Sequence, residues 1–148
     1  MNYVEQITSS MITEAQTALG GDYKELCYFY DLEKNGFNSN AKRFGVIPVE
    51  AKSVLTVAKA YTLDHSFQLI VTDNYFNKED GDISQREVAN QIYDKVDEVT
   101  ARIYASKVGI PSIVFFVSLD SISEPEFLED DNVVAIRANY IIKYRRNI

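Results

Sequence analysis

The chain has 148 residues, of which 46% are hydrophobic and 25% are charged, and this is typical of one globular domain with its own core. Its single cysteine excludes an intramolecular disulfide and a multi-cysteine metal site, and its net charge of −7 argues against general affinity for nucleic-acid phosphates. With no basic-plus-apolar leader at the amino terminus and no run of about 18 apolar residues, we expect a soluble protein, compatible with a reducing compartment.

The first predicted element is a helix over residues 2–19. One apolar stripe runs along it at three- and four-residue steps, formed by Val4, Ile7, Met11, Ala15 and Leu19. Asn2 is placed to cap the start, with Glu5 three residues later. Gly20 and Gly21 predict the end, because glycine accepts the left-handed conformation that follows many helices.

Two strands and a loop are predicted next. Residues 24–32 (KELCYFYDL) are rich in aromatic side chains, which favour a strand. Residues 33–43 are dominated by Asn, Gly, Ser and Lys and predict a rather long loop. A strand is predicted over residues 44–56, and Pro48 places part of it at a sheet edge or strand end because proline has no N–H for the ladder.

Residues 59–76 (KAYTLDHSFQLIVTDNYF) alternate between two kinds of side chain. One set is apolar apart from His65, and the other is largely polar. This period of two predicts a long, half-buried antiparallel strand. Burial of Phe67, Leu69 and Val71 is expected to contribute about 1.5–3 kcal/mol each.

An acidic loop is predicted over residues 77–83 and a second helix after it. Ser84 with Glu87 three residues later has the pattern of a capping box, so the helix is predicted to start at Ser84. One apolar face continues it, formed by Val88, Ile92, Val96, Val99 and Ile103. Gly109 and Pro111 predict its end, after about 23 residues.

Two more strands are predicted before the carboxyl terminus. Residues 112–119 (SIVFFVSL) form a short apolar strand, and residues 121–132 form an acidic loop. Residues 133–148 alternate again, with an apolar face of Val134, Ile136, Ala138, Tyr140, Ile142 and Tyr144. The opposite face carries Arg137, Asn139, Lys143 and Arg145.

The predicted order of elements is α-β-β-β-α-β-β over a single domain, residues 1–148, without repeats or linkers. Strict alternation of strand and helix, which parallel βαβ winding requires, is absent. We therefore expect an α+β fold, in which an antiparallel or mixed sheet has two helices packed on one face.

Few side chains are candidates for chemistry. His65 is the only histidine, and a general base would need a nucleophile and an orienting carboxylate, whereas the adjacent Asp64 points to the other face of the strand. We interpret His65 and the lone Cys27 as core residues. The acidic runs at 79–82 and 124–131 lack EF-hand spacing and are interpreted as solvated loops.

The sequence also lacks the short motifs of common enzymes. No phosphate-binding loop, dinucleotide fingerprint, GxSxG or HExxH pattern is present. We therefore predict that the protein is not an enzyme and uses no metal or cofactor.

Basic residues are concentrated in the last predicted strand of an otherwise acidic chain: Arg137, Lys143 and Arg145 share a face, with Arg146 close by. One interpretation is a solvated sheet face. The other is a charged interface that meets the acidic segment 124–131 of a neighbouring copy, including Glu129, Asp130 and Asp131. Head-to-tail charge pairing of this kind favours rings.

Three segments, together with the element order, resemble the tail-terminator (tail-completion) proteins of long-tailed bacteriophages. They are KAYTLDHSFQLIVTD, DISQREVANQIYDKVDEV and NVVAIRANYIIKYR. The resemblance covers most of the chain and is one of element order, size and sequence texture, without a short invariant motif.

The resemblance implies a structural protein of the virion that assembles in the host cytoplasm. Such proteins form a homohexameric ring that caps the tail tube, ends its polymerisation and joins the tail to the head-completion proteins of the neck. Genomic DNA passes through the lumen without specific binding, which suits an acidic chain. No cofactor, catalytic site or membrane contact is implied.

Partner contacts are expected in the two polar loops, because loops on a rigid scaffold often carry function. The candidates are Lys34, Asn35, Phe37, Lys42 and Arg43 in the first loop and Lys78, Glu79 and Asp80 in the second. Two alternatives remain open. One is another head-tail connector or head-closure protein; the other is a small-ligand-binding or regulatory domain, with His65 and residues 28–30 lining a pocket.

Overall fold

The computed structural model describes residues 2–25, 42–57, 60–75, 81–128 and 132–147. Two helices lie in these ranges, α1 (Tyr3–Leu19) and α2 (Gly81–Ser106), and α2 continues into a 3₁₀ turn (Lys107–Gly109). The strands are β1 (Lys24–Glu25), β2 (Arg43–Val57), β3 (Ala60–Asn74), β4 (Val114–Ile122), β5 (Glu126–Leu128) and β6 (Val133–Asn147). This is the predicted α+β fold, with one short strand, β5, inside the segment that was predicted to be a loop.

The strands form one mixed sheet in the order β1-β2-β3-β6-β4, with β5 also paired to β6. Only the β1–β2 pairing is parallel. β3 and β6 pair along their whole length, from Ala60 opposite Asn147 to Asn74 opposite Val133. Because β3 occupies one side of β6, β4 and β5 follow each other along its other side and form one interrupted edge.

Both helices pack on the same face of this sheet, as predicted. The apolar set of β3, which includes Phe67, Leu69 and Val71, lies in the core together with the apolar set of β6. The helices contribute the stripes expected from their sequences, Ile7, Met11, Ala15 and Leu19 from α1 and Val88, Ile92, Val96, Val99 and Ile103 from α2. The apolar residues at alternate positions of the strands thus pack against the apolar stripes of the helices in one core.

The cap predicted for α1 is confirmed. The Glu5 backbone N–H donates to Asn2 Oδ1 at 2.9 Å, and Asn2 Nδ2 donates to Glu5 Oε1 at 3.2 Å. Gly20 ends the helix with φ at +91°, a conformation that side chains with a Cβ rarely adopt.

The predicted start of α2 was wrong. The helix begins at Gly81, so Ser84 lies within its first turns and α2 has 26 residues. A capping box is a local pattern, and such a pattern can also occur inside the first turns of a longer helix. The end agrees with the prediction, since Gly109 follows in a left-handed conformation with φ at +77°.

The strand boundaries also needed correction. Arg43 is the first residue of β2 and not part of a loop. Pro48 lies in β2 beyond the two residues that pair with β1, and the pairing of β2 with β3 shifts register directly after it. Both features are expected at a proline, which has no N–H for the ladder. β4 extends to Ile122, past the predicted end at residue 119. Most of the predicted strand 24–32, with Cys27, and residues 33–41 of the predicted loop lie outside the described residues.

Candidate assembly surface

The sheet face turned away from the helices, here called the outer face, is formed by the second set of residues in β3 and β6. On this face, side chains of β3, β6 and β4 contact one another in two rows across the strands. In the first row, Lys143 lies between Asp64 and Phe116. In the second row, Asn139 lies between Gln68 and Ser121.

The second of these rows is a hydrogen-bonded polar network. Gln68 Nε2 donates to Asn139 Oδ1 at 2.8 Å, and Asn139 Nδ2 donates to Ser121 Oγ at 3.0 Å. Arg137 Nη1 donates to Gln68 Oε1 at 3.4 Å. Cross-strand pairs of this kind stabilise a sheet by roughly 0.2–1 kcal/mol each, so the network holds this part of the outer face in one arrangement.

Two of the predicted interface cations have carboxylate partners within their own chain. Arg137 Nη2 lies 3.5 Å from Glu126 Oε2, and Lys143 Nζ lies 3.6 Å from Asp64 Oδ1. All four side chains keep substantial exposure, so each pair contributes little to folding. The acidic segment 124–131 therefore meets the basic face at least once inside one subunit, through Glu126.

Three of the four predicted basic residues lie on the outer face of β6, but they do not form one cluster. Lys143 and Arg145 are neighbours on this face, and Arg137 lies further along the strand. Arg146 belongs to the opposite set of residues and is exposed at the end of the strand. Arg137 and Arg145 are eight residues apart, or about 26 Å along the strand. Their proposed partners at 129–131 lie outside the described residues.

Of the predicted partner residues, only Lys42 and Arg43 are described. Lys42 immediately precedes β2, and its Nζ lies 5.6 Å from the centre of the Tyr23 ring. The Tyr23 hydroxyl donates to the buried carboxylate of Asp73 at 3.3 Å, and burial together with that carboxylate raises the pKa of Tyr23. Lys34, Asn35, Phe37, Lys78, Glu79 and Asp80 lie outside the described residues.

The sequence did not indicate the exposed aromatic residues at the start of β4. Phe115 and Phe116 are 47% and 48% exposed, and Lys143 Nζ lies 5.6 Å from the centre of the Phe116 ring. The run SIVFFVSL predicts a short apolar strand, and in the structure this strand, β4, lies at the edge of the sheet. Further along this edge, the Tyr104 hydroxyl accepts a hydrogen bond from the Leu119 N–H at 2.5 Å.

His65 lies in the core, as interpreted from the sequence. It is 6% exposed, its Nδ1 shares a hydrogen bond of 3.1 Å with the Tyr144 hydroxyl, and its ring centre is 4.4 Å from that of Phe67. Burial lowers its pKa below the usual value for histidine. This environment favours the neutral imidazole and fixes its orientation through Tyr144.

One shallow groove lies between α1 and the β2 edge. It measures about 440 Å³ and is lined by Val4, Glu5, Thr8, Ser9 and Pro48, and His65 is not in its lining. Among the described residues, no group of three or more His, Cys, Asp or Glu side chains is arranged to hold a metal ion. No helix in the described part of the chain has the length and apolar character needed to cross a membrane.

No protein-family model matches the sequence, and no curated protein matches it significantly.

Proposed function

We propose that this chain is a ring-forming structural protein of a tailed-phage neck, which caps the tail tube as tail-terminator proteins do. The observation that carries the proposal is the position of the segments that resemble this family. They are β3, α2 and β6, and they build the centre of the fold, since β3 and β6 pair over their full length and α2 packs on them.

The exposed basic end of the outer face supports the assembly part of the proposal, whereas the other end of that face, around Ile70 and Ala135, is buried. A head-to-tail ring needs two different surfaces on each subunit that complement one another. Here one layer is helical and the other is an open sheet whose outer face carries basic and aromatic side chains, among them Lys143, Arg145 and Phe116. A two-layer subunit of this kind presents different chemistry on its opposite sides.

The test is the assembly state of the purified chain, followed by a capping assay. Native mass spectrometry across a concentration series, with negative-stain images of the same sample, is expected to show a hexameric ring with a hole wide enough for duplex DNA. Added to growing tail tubes of the partner phage, the protein is expected to stop their elongation and to appear as a ring at one end.

Capping distinguishes the proposal from its alternatives. A ring that binds head-completion proteins but leaves tube growth unchanged would identify another connector of the neck. A chain that stays monomeric both alone and with tubes, and whose melting temperature rises with a small molecule, would identify a ligand-binding domain instead.

A further inference from the structure

We infer that the exposed basic end of the outer face, around Lys143 and Arg145, seats the exposed side of α2 from a second copy of this chain, so that copies pack head to tail with helix layer against sheet. This inference rests on the proposed ring function and names the two surfaces that join neighbouring subunits.

The receiving surface is the basic end of the outer face. Lys52, Asp64 and Lys143 lie side by side across β2, β3 and β6, and Arg145 follows Lys143 on the same face. Asp64 compensates one of these cations. Arg145 is exposed and has no carboxylate within 4.0 Å among the described residues, so positive charge remains available for a partner.

The occupying surface is the side of α2 that faces away from the sheet. Its exposed carboxylates recur along the helix: Glu87, Asp94, Asp97 and Glu98. Of these, Glu98 lies 3.6 Å from Lys95, and the others have no ion pair with a described residue. Negative charge therefore exceeds positive charge on this side of the subunit, opposite to the basic sheet face.

The dimensions of the two surfaces agree. Glu87 and Asp94 are seven residues apart, or about 10 Å along the helix. Lys52 and Lys143 lie two strands apart, or about 10 Å across the sheet, so a helix that crosses the strands can place these two carboxylates beside these two cations. Because the two surfaces lie on opposite sides of one subunit, their contact is heterologous, and heterologous contacts that close generate rings.

The exposed aromatic ring of Phe116 also has a counterpart. Past the last carboxylate, the outward side of α2 carries the small residues Ala101 and Ala105, both exposed. Small side chains let a helix approach a sheet closely, and their methyl groups give a flat apolar surface on which Phe116 can be buried. In the assembly, the α2 end of each copy would cover the Phe116 side chain of one neighbour.

The acidic segment after β4 is less suited to this role. Glu126 already pairs with Arg137 in its own chain. β5 lies beside residues 133–135, at the opposite end of β6 from Arg145. The basic end of the face therefore requires an acidic surface from elsewhere, and α2 of the next copy provides it.

Charge reversal of each surface tests the contact. The sheet variant is Lys143→Glu/Arg145→Glu and the helix variant is Glu87→Lys/Asp94→Lys. Each variant alone is expected to need a protein concentration about tenfold higher or more to form rings, free or on tail-tube ends, because like charges then face each other. Mixed in equal amounts, the two variants are expected to form rings again, with alternating subunits, since every contact in the mixture pairs opposite charges.

Matched controls separate this effect from net charge. Lys24→Glu changes the net charge as much as Arg145→Glu alone does, and Glu25→Lys as much as Asp94→Lys alone does, and both control positions are exposed in β1, away from the two surfaces. Both controls are expected to assemble as the unmodified chain does. Unchanged melting temperatures establish that each variant is folded.

The other outcomes overturn one proposal or both. If the sheet and helix variants assemble normally, or if their mixture fails to restore rings, the helix-on-sheet contact is wrong while the ring function stands. If the unmodified chain forms no ring either alone or on tube ends, the proposed function fails together with the contact.

Discussion

The two faces of β3 carry different chemistry on one backbone. On the helix side, Phe67, Leu69 and Val71 are buried in the core. On the outer side, Ser66 and Gln68 are only partly buried, and Gln68 bonds to Asn139 on the neighbouring strand. The first face decides the fold through apolar burial. The second is polar and half-exposed around Ser66 and Gln68, whereas Ile70, further along the same face, is buried.

The helix side is not purely apolar, however. It contains His65 and the hydroxyls of Tyr140 and Tyr144, each with a defined partner. The Tyr140 hydroxyl lies 2.7 Å from Thr100 Oγ1, and the hydroxyl of Tyr144 meets His65. Buried polar groups of this kind add specificity to packing, and they make the stability of this face depend on pH.

The largest expected effect is on the helix side. Phe67→Ala removes a fully buried ring and is expected to lower the free energy of unfolding by about 3–5 kcal/mol. Urea unfolding followed by circular dichroism measures this. The adjacent Gln68→Ala on the outer side is the control, with an expected loss of about 1 kcal/mol or less. Equal losses at the two positions would contradict the contrast between the faces.

Alkaline pH is expected to act on the helix side as well. Burial raises the pKa of Tyr140 from its ordinary value of about 10 to about 12. The unfolded chain then loses its proton first, so stability falls as pH rises from about 10 to about 12, on the order of 2 kcal/mol for this residue. The difference in urea unfolding between the unmodified chain and Tyr140→Phe isolates it. A constant difference across this range would show that Tyr140 titrates normally.

Acidic pH is expected to have a smaller effect, through His65. Burial lowers the pKa of the imidazole from 6.5, so the unfolded chain takes up a proton first and stability falls as pH drops below about 6.5. His65→Gln keeps a polar partner for Tyr144 but does not titrate in this range. Its stability is expected to depend less on pH between neutral and mildly acidic conditions, as measured by thermal unfolding. Parallel pH curves for the two proteins would rule out this role.

Much of the helix side was predictable from sequence, because it is encoded by spacing. Alternation predicted β3, β6 and their buried sets, and the stripes of both helices predicted the residues that meet them. The start of α2 was predicted three residues too late, because Ser84 and Glu87 match a capping box although both lie inside the longer helix. Core residues can be predicted from local sequence because their spacing along the chain follows the period of the strand or helix.

The outer face was less predictable, because it depends on which strands become neighbours. The apolar run around Phe115 and Phe116 predicts a short strand, and only the strand order places it at an edge. The pairing of Arg137 with Glu126 depends on β5, a strand that an acidic, proline-containing segment did not indicate. Such contacts follow from tertiary register, which one sequence does not reveal.

The smallest expected effect on folding is at Arg145. Its side chain is exposed, so Arg145→Ala is expected to change the free energy of unfolding by less than about 0.5 kcal/mol. The same substitution removes from the outer face a cation that has no ion pair with a described residue, and it is expected to weaken ring formation measurably in native mass spectrometry. Phe67→Ala, in contrast, is expected to lower assembly only as far as it unfolds the subunit. A marked loss of stability in Arg145→Ala would mean that the exposed end of the outer face also stabilises the fold. The contrast drawn here between a stabilising helix side and an outer face used for assembly would then be wrong.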